Sequence, residues 1–389
     1  MERRALELFV RGILQKIARE LLNGELVERQ VAVEGVDHVI AERPDRARRV
    51  VRVTGAVRVA REIEPQPRPV LAVMWRGQQP IDQPLVSVRT VVSKELRNLF
   101  WRRWQANQVE NVLHLVAQVK RTYNIDESHI YITGISDGGT GTYYLAMKAA
   151  TLWSACMPLN GHPLVLANES VGADGQLYMG NLVNCPMQAV NGGRDQLYPA
   201  SSVEPFVTMM KKGGVDFTWH VYPEARHDTS WWPTEQAPYE AFVAAHPRPA
   251  YPEKISWETE RSDRGNRYSW LIISALGTRS SDVALADVNT FSPGLGRLYE
   301  LYDRKKASGR VDAVRKGNAF SLQTRGVREV TLLLHAEQVD FAKEVTVHVN
   351  GRPVFAGMVK PDVATVMKWA ARDDDRTQLY AAELKVTVP

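Results

Sequence analysis

Ile130-Tyr131-Ile132-Thr133-Gly134-Ile135-Ser136-Asp137-Gly138-Gly139-Thr140-Gly141 is the stretch on which the reading of this chain turns. Its first four residues are β-rich, and the pattern after the glycines is helical through Ala150. A G-x-S-x-G taken alone is a weak signal. At average glycine and serine usage, a chain this long contains one by chance about one time in ten. The setting is what carries weight: strand, sharp turn, helix is the arrangement that exposes a serine as a nucleophile. The glycines matter because such a turn leaves no room for side chains next to the serine. The helix that follows also aims its first N–H groups at negative charge developing there.

Outward from that turn, residues 69–246 alternate short apolar runs with longer helical patterns, the signature of a parallel sheet covered by helices. Strands are predicted at 70–74, 130–133, 156–159, 187–190 and 217–222. Helices are predicted at 104–123, 203–212 and 239–245, the first with Val109, Val112, Leu113, Val116 and Val119 on one face. His246-Pro247-Arg248-Pro249-Ala250-Tyr251-Pro252 then forms a stiff connector that cannot continue a helix. Beyond it the pattern is strand-like at 254–257, 268–273, 319–323, 330–334, 345–349 and 384–388, with one helix over 363–371. Asn350-Gly351 marks a hairpin, because both residues tolerate positive φ. The predicted fold class is therefore α/β, a mostly parallel sheet flanked by helices, with a C-terminal β-sandwich-like domain of about seven strands. The expected division is 1–65 for an N-terminal helix and leading strands, 66–250 for the catalytic core, and 251–389 for the β-rich domain.

The composition suits a globular protein: 389 residues, 44% hydrophobic, 24% charged, net charge +5. The basic stretch at 43–61 alternates arginine with valine, which reads as a strand with a wet arginine face and not as a nucleic-acid site. No apolar run reaches the roughly 18 to 20 residues of a membrane span. Near the N-terminus, Leu6, Phe9, Ile13, Ile17 and Leu21 recur at helical spacing, while Glu7, Arg11 and Lys16 interrupt any leader-like run. The compartment is left open: cytoplasmic as written, secreted or periplasmic where a leader has been removed. The two cysteines, Cys156 and Cys185, are either free core thiols or one bridge, and match no zinc spacing. No metal or organic cofactor is expected, and no pattern specifies an oligomeric state.

A serine hydroxyl needs a base held against it, and the base needs an acid to orient it. When the serine sits in a strand–helix elbow, acid and base follow in the order Ser, Asp or Glu, His, on loops after later strands. Asp195 in Asn191-Gly192-Gly193-Arg194-Asp195 and His227 in Pro223-Glu224-Ala225-Arg226-His227-Asp228 meet that requirement. Among nine histidines, His220 falls inside a predicted strand and His246 at a helix end, so neither occupies the expected loop. His162 reads as part of a structural turn. The expected oxyanion donors are the backbone N–H of Asp137 and one from the loop after the 70–74 strand, at Gly77 or Gln78. Tyr198, Trp104, Trp231 and Trp232, with Trp101, are the candidate wall of a substrate cleft.

The motif Ser136-Asp137-Gly138-Gly139-Thr140-Gly141, with 123–126, 191–199 and 227–233, resembles a bacterial group of α/β-hydrolase-fold serine esterases near the prolyl-oligopeptidase-like, polyester-depolymerase and feruloyl-esterase branches. The resemblance covers roughly residues 66–275. The hairpin at 345–357 also resembles the β appendage of that group. It implies an α/β-hydrolase fold, Ser136, Asp195 and His227 as a catalytic triad, and a carboxylesterase activity on a small-molecule or polymeric ester, with polysaccharide or polyester as possible contacts. In one respect the chain departs from the group, which carries His-Gly after the third core strand where Arg76-Gly77 stands here. Two rival readings follow from the same residues: a serine peptidase of the same mechanism, and a non-catalytic polysaccharide-binding protein on a degenerate hydrolase scaffold.

Overall fold

Local sequence explains the central layer. In the computed structural model, residues 106–122, 125–168, 174–278, 285, 288–291 and 299–389 are described, together with the backbone of five strands before residue 93. Strands β1 (Val39–Ile40), β2 (Arg48–Val53) and β3 (Val57–Glu62) form an antiparallel sheet in that order. The Arg–Val stretch is thus strand, as its alternation predicts. The predicted N-terminal helix lies outside the described residues.

The main sheet is built from β4 (Val70–Trp75), β5 (Ser87–Val92), β6 (Ile130–Ile135), β7 (Cys156–Leu159), β8 (Met187–Gly192) and β9 (Phe217–Tyr222). Its order is β5-β4-β6-β7-β8-β9, every pair parallel. The chain moves outward from β4 to β5 and returns past β4 to β6, so the order reverses between β4 and β6. Such a reversal opens a crevice beyond the carboxyl ends of the strands. Trp75 ends β4 opposite Gly134, two residues before Ser136.

Strands β6, β7 and β8 are buried on both faces, as parallel strands under helices must be. Their side chains alternate between two cores. Ile130, Ile132, Cys156, Met187 and Ala189 pack beneath helices α1 (Ala106–Thr122), α2 (Asp137–Lys148) and α3 (Ala200–Lys212). Tyr131, Met157, Leu159 and Val190 pack on the other face against helix α4 (Trp232–Ala245). The predicted face of α1 is the buried one: Val112, Val116 and Val119 are in the core, with Val109 and Leu113 packed against it. Cys156 and Cys185 are joined as a disulfide with Cα atoms 6.3 Å apart, which decides between the two alternatives left by the sequence.

The C-terminal region is a two-sheet sandwich. One sheet has the order β10 (Lys254–Thr259), β15 (Gly309–Lys316), β16 (Ala319–Arg325), β18 (Val345–Val349), β19 (Arg352–Gly357); the other β11 (Arg267–Tyr268), β12 (Leu271–Leu276), β17 (Val327–Leu334), β20 (Ala382–Thr387). The short pair β13 (Thr290–Phe291) and β14 (Tyr299–Glu300) stands apart from both sheets. Along β16 the burial alternates, with Phe320, Leu322 and Thr324 inward. Trp257 and Phe320 from one sheet share a core with Leu271, Leu332 and Leu384 from the other. Helix α5 (Val363–Asp373) adds Trp369 to it. Asn350 and Gly351 both have positive φ, as the predicted hairpin requires.

The boundary with the parallel-sheet core is not clean. Val288, Leu301 and Tyr302, all beyond residue 250, pack into the core beneath α1 to α3. A polar clamp, buried at Arg248, Asp375 and Glu127, also holds the two parts together. Arg248 donates to Asp375 at 2.5 Å and to the Glu127 carbonyl, while Arg376 pairs with Glu127 at 2.7 Å. Residues from His38 to Pro389 accordingly form one compact unit.

Candidate active site

The turn at Ser136 is held by two close backbone approaches. A Cβ on Gly134 would meet the Gly138 carbonyl carbon at 2.5 Å, and one on Gly161 would meet that of Gly139 at 2.5 Å. Only glycine lets β6, the start of α2 and the exit of β7 come this near. Ser136 itself has φ of 60°, a value rare for a residue with a side chain. Its N–H donates to Leu159 O at 2.9 Å, and its carbonyl accepts the first α2 bond from the Thr140 N–H at 3.0 Å. The strained conformation is therefore over-determined by its neighbours, the usual condition for strain at a functional position.

Asp195 and His227 arrive on the loops after β8 and β9, as their sequence contexts predict. The His227 Nε2 lies 2.7 Å from Ser136 Oγ, and Nδ1 lies 2.6 Å from Asp195 Oδ2. The other carboxylate oxygen of Asp195 accepts the backbone N–H groups of Leu197 and Tyr198 at 2.8 and 2.9 Å. The Asp195 side chain is fully buried, whereas that of His227 keeps 22% exposure. The charge on Asp195 is thus met by three donors, and the imidazole stays reachable from outside. The two loops are pressed together by Gly192 and Gly193, whose Cβ atoms would collide with the Ala225 and Pro223 carbonyls. Arg194 N–H donates to Ala225 O at 2.9 Å across the same seam.

Tyr198 packs edge-on against His227, with ring centroids 5.5 Å apart, and on its other side against His162. Burial, with Asp137 and Asp195 nearby, pushes its phenol up to about 12, so it stays neutral. Asp137 is the first residue of α2, and helix geometry leaves first-turn N–H groups to partners outside the helix. Gly77, Gln78, Trp104 and Trp101 lie outside the described residues.

Of the two tryptophans expected in a cleft wall, Trp231 is buried and Trp232 is half-buried. Helix α4 begins at Trp232, not at 239, because Pro233 sits in the first turn, where a missing N–H costs nothing. Trp231 is thereby turned beneath the helix, 3% exposed and stacked on Tyr222 within the core shared with Tyr239 and Phe242. Trp232 packs its edge on Tyr239. Leu197, two residues after Asp195, and Leu164, two residues after His162, are exposed large apolar side chains.

His162 is structural, as expected. Its Nδ1 accepts the Leu164 N–H at 3.1 Å, which fixes the proton on Nε2, 3.2 Å from Ser202 Oγ. Burial pushes this imidazole down to about 4. His220 lies in β9 and pairs with the buried Glu235 of α4, which also accepts from Tyr222 and Gln188. Asn160 is the residue that sequence reasoning passed over. It leaves β7 with φ of 46° and donates from Nδ2 to Asp228 O at 2.7 Å. Its signal was present as an Asn-Gly pair directly after a strand.

A cavity of 790 Å³ opens elsewhere, lined in part by Val109, Leu113, Tyr144, Met147 and Arg267. It lies at the far end of α2, roughly 17 Å along the helix from Ser136, and touches none of Ser136, Asp195 and His227. Among the described residues no three His, Cys, Asp or Glu side chains gather as a metal set.

A mostly parallel sheet flanked by helices, with a strand–helix elbow at the reversal of strand order, defines the α/β-hydrolase fold. Residues 88–245 match the model of the Dienelactone hydrolase family. Similar solved structures include a thermostable esterase, at 18% identity and TM-score 0.40, covering 55% of this chain and 64% of that one. An acylaminoacyl peptidase of Pyrococcus horikoshii is similar at 13% identity and TM-score 0.38, over 54% of this chain and 41% of that one. S-formylglutathione hydrolase of Staphylococcus aureus is similar at 12% identity and TM-score 0.39, over 50% and 92%. The chain thus spans less than two thirds of the length of the first two. A comparison with curated proteins found no match.

Proposed function

We propose that this protein hydrolyses carboxylic esters through an acyl-enzyme on Ser136, with His227 as general base and acid and Asp195 as the group that orients it. The observation that carries the reading is the unbroken relay from Ser136 Oγ to Nε2 and from Nδ1 to Asp195, with contacts of 2.7 and 2.6 Å. Oγ attacks the acyl carbonyl as Nε2 takes its proton. Asp195, held by two backbone N–H groups, keeps the Nδ1 proton in place and stabilises the imidazolium. The oxyanion is met by the Asp137 N–H and by a second donor from Gly77 or Gln78. One such donor is worth about 10²- to 10³-fold in rate. His227 then returns the proton to the leaving alcohol, and water, activated by the same imidazole, releases the acid.

The exposed Leu197 and Leu164 favour an apolar acyl or alcohol group over a charged one. The substrate is a small-molecule or polymeric ester. The test is turnover of short-chain p-nitrophenyl esters beside the matching p-nitroanilides. Ester turnover that disappears in Ser136→Ala supports the proposal; anilide turnover at a comparable rate would make the protein a peptidase instead. Turnover of neither, with the serine unreactive, would favour a binding protein on a hydrolase scaffold.

A further inference from the structure

We infer that Asn160 is the positioning residue that registers His227 against Ser136, an inference resting on the hydrolytic role proposed for those two groups. The exit of β7 touches all three loops of the site. Leu159 O accepts the Ser136 N–H at 2.9 Å, and Gly161 packs backbone to backbone on Gly139. The Asn160 N–H donates to Val190 O at 2.7 Å, and Asn191 Nδ2 donates to Gly161 O at 3.3 Å, which joins the strand leading to Asp195. The third connection is made by a side chain. Asn160 Nδ2 holds the carbonyl of Asp228, the residue directly after His227, at 2.7 Å.

A role in packing alone explains this residue poorly. Asn160 is fully buried, its φ of 46° suits glycine better, and its Oδ1 has no hydrogen-bond partner among the described residues. A glycine would carry neither disadvantage. What the asparagine supplies, and glycine does not, is the bond to the histidine loop. Among the described residues, backbone hydrogen bonds from the acid loop reach Tyr222 and Ala225, through the Gly193 and Arg194 N–H groups, and beyond them the acid side meets this loop through the Asp195–His227 side-chain pair. The Asp228 side chain is turned to its own loop, accepting from the Ser230 N–H and hydroxyl. The backbone immediately after His227 is therefore tied to the nucleophile side through Asn160, beside the reacting contact of the imidazole with Ser136 itself. A misplacement of about 1 Å at a reacting group costs on the order of 10²-fold in rate. Loss of this bond should consequently slow the chemical step and leave binding little changed.

The experiment uses the full chain with Asn160→Gly, which accepts the positive φ, and Asn160→Asp, which keeps the shape and replaces the donor by an acceptor. Each protein is titrated with an alkyl fluorophosphonate. In that reaction Oγ bonds to phosphorus, fluoride leaves, and His227 takes the hydroxyl proton. Ester kcat and KM are then expressed per titrated site. The expected result is a fall of at least about tenfold in kcat and in labelling rate for both variants, with KM within about twofold. Rates per titrated site within twofold of the parent in Asn160→Gly would overturn the inference. If Asn160→Asp fails to fold, Asn160→Gly decides alone. If the parent protein itself does not label, the hydrolase reading falls first, and the two failures are distinct.

Discussion

Acid should weaken this protein through His162. The imidazole is buried, its Nδ1 is committed as an acceptor to the Leu164 N–H, and its pKa is pushed down to about 4 from 6.5. Between those two values the unfolded chain binds a proton that the folded one excludes. Stability therefore rises with pH through this window and is lost as pH falls from about 6.5 towards 4. The full loss is about 3 kcal/mol, of which about 2 kcal/mol is gone at pH 5. His335, also pushed down to about 4 by burial, contributes with the same sign. Asp228 and Asp375 are held below the usual carboxylate range, so their protonation lies below pH 5. The perturbation that isolates His162 is His162→Asn, because asparagine keeps an acceptor for the Leu164 N–H and does not titrate. Urea unfolding at pH 8 and pH 5 should show an acid loss smaller by about 2 kcal/mol in the variant. An acid loss equal to that of the parent protein would refute the assignment of a buried, neutral His162.

Asp375→Ala leaves Arg248, whose side chain is 3% exposed, without its carboxylate. A loss of about 3–5 kcal/mol is expected, seen as a lower urea midpoint, and a change below about 1 kcal/mol would mean that the clamp is idle. Reduction of Cys156–Cys185, which closes a 29-residue separation, should cost about 3.5 kcal/mol on the chain-entropy account. Alkylation of the denatured protein should tag no thiol before reduction and two after it. Asp195→Asn should lower ester kcat about 10⁴-fold with the fold intact, because the imidazole loses the acceptor that fixes its tautomer; a loss below tenfold would remove Asp195 from its orienting role.

Much of this architecture was legible because one residue pattern mapped onto one element. The runs at 156–159 and 217–222 are short, apolar or β-branched and bounded by turn residues, and the strands begin and end there. The order of serine, acid and histidine was legible because each follows a strand at the same sheet edge. Strand β15 was hidden by its charges: Arg310 and Arg315 are buried by their partners and break the apolar alternation. Strand β5 was likewise not predicted. The run at 268–273 looked like one strand but is a hairpin, turned at Ser269 with φ of 48° and no glycine to announce it. The start of α4 was masked by Pro233 and Pro238, which read as breakers although the helix runs through both. The Asn160-Gly161 pair after a strand marked a turn, but its partner was not legible, because a bond between residues 160 and 228 is set by tertiary register and not by local pattern.

The central claim is that the Ser136 hydroxyl is a nucleophile made reactive by His227. Treatment of the native protein with an alkyl fluorophosphonate, followed by peptide mapping, tests it most directly. The account predicts one adduct, on Ser136, lost in Ser136→Ala and strongly slowed in His227→Ala. An unmodified Ser136, or labelling at the same rate without His227, would contradict it.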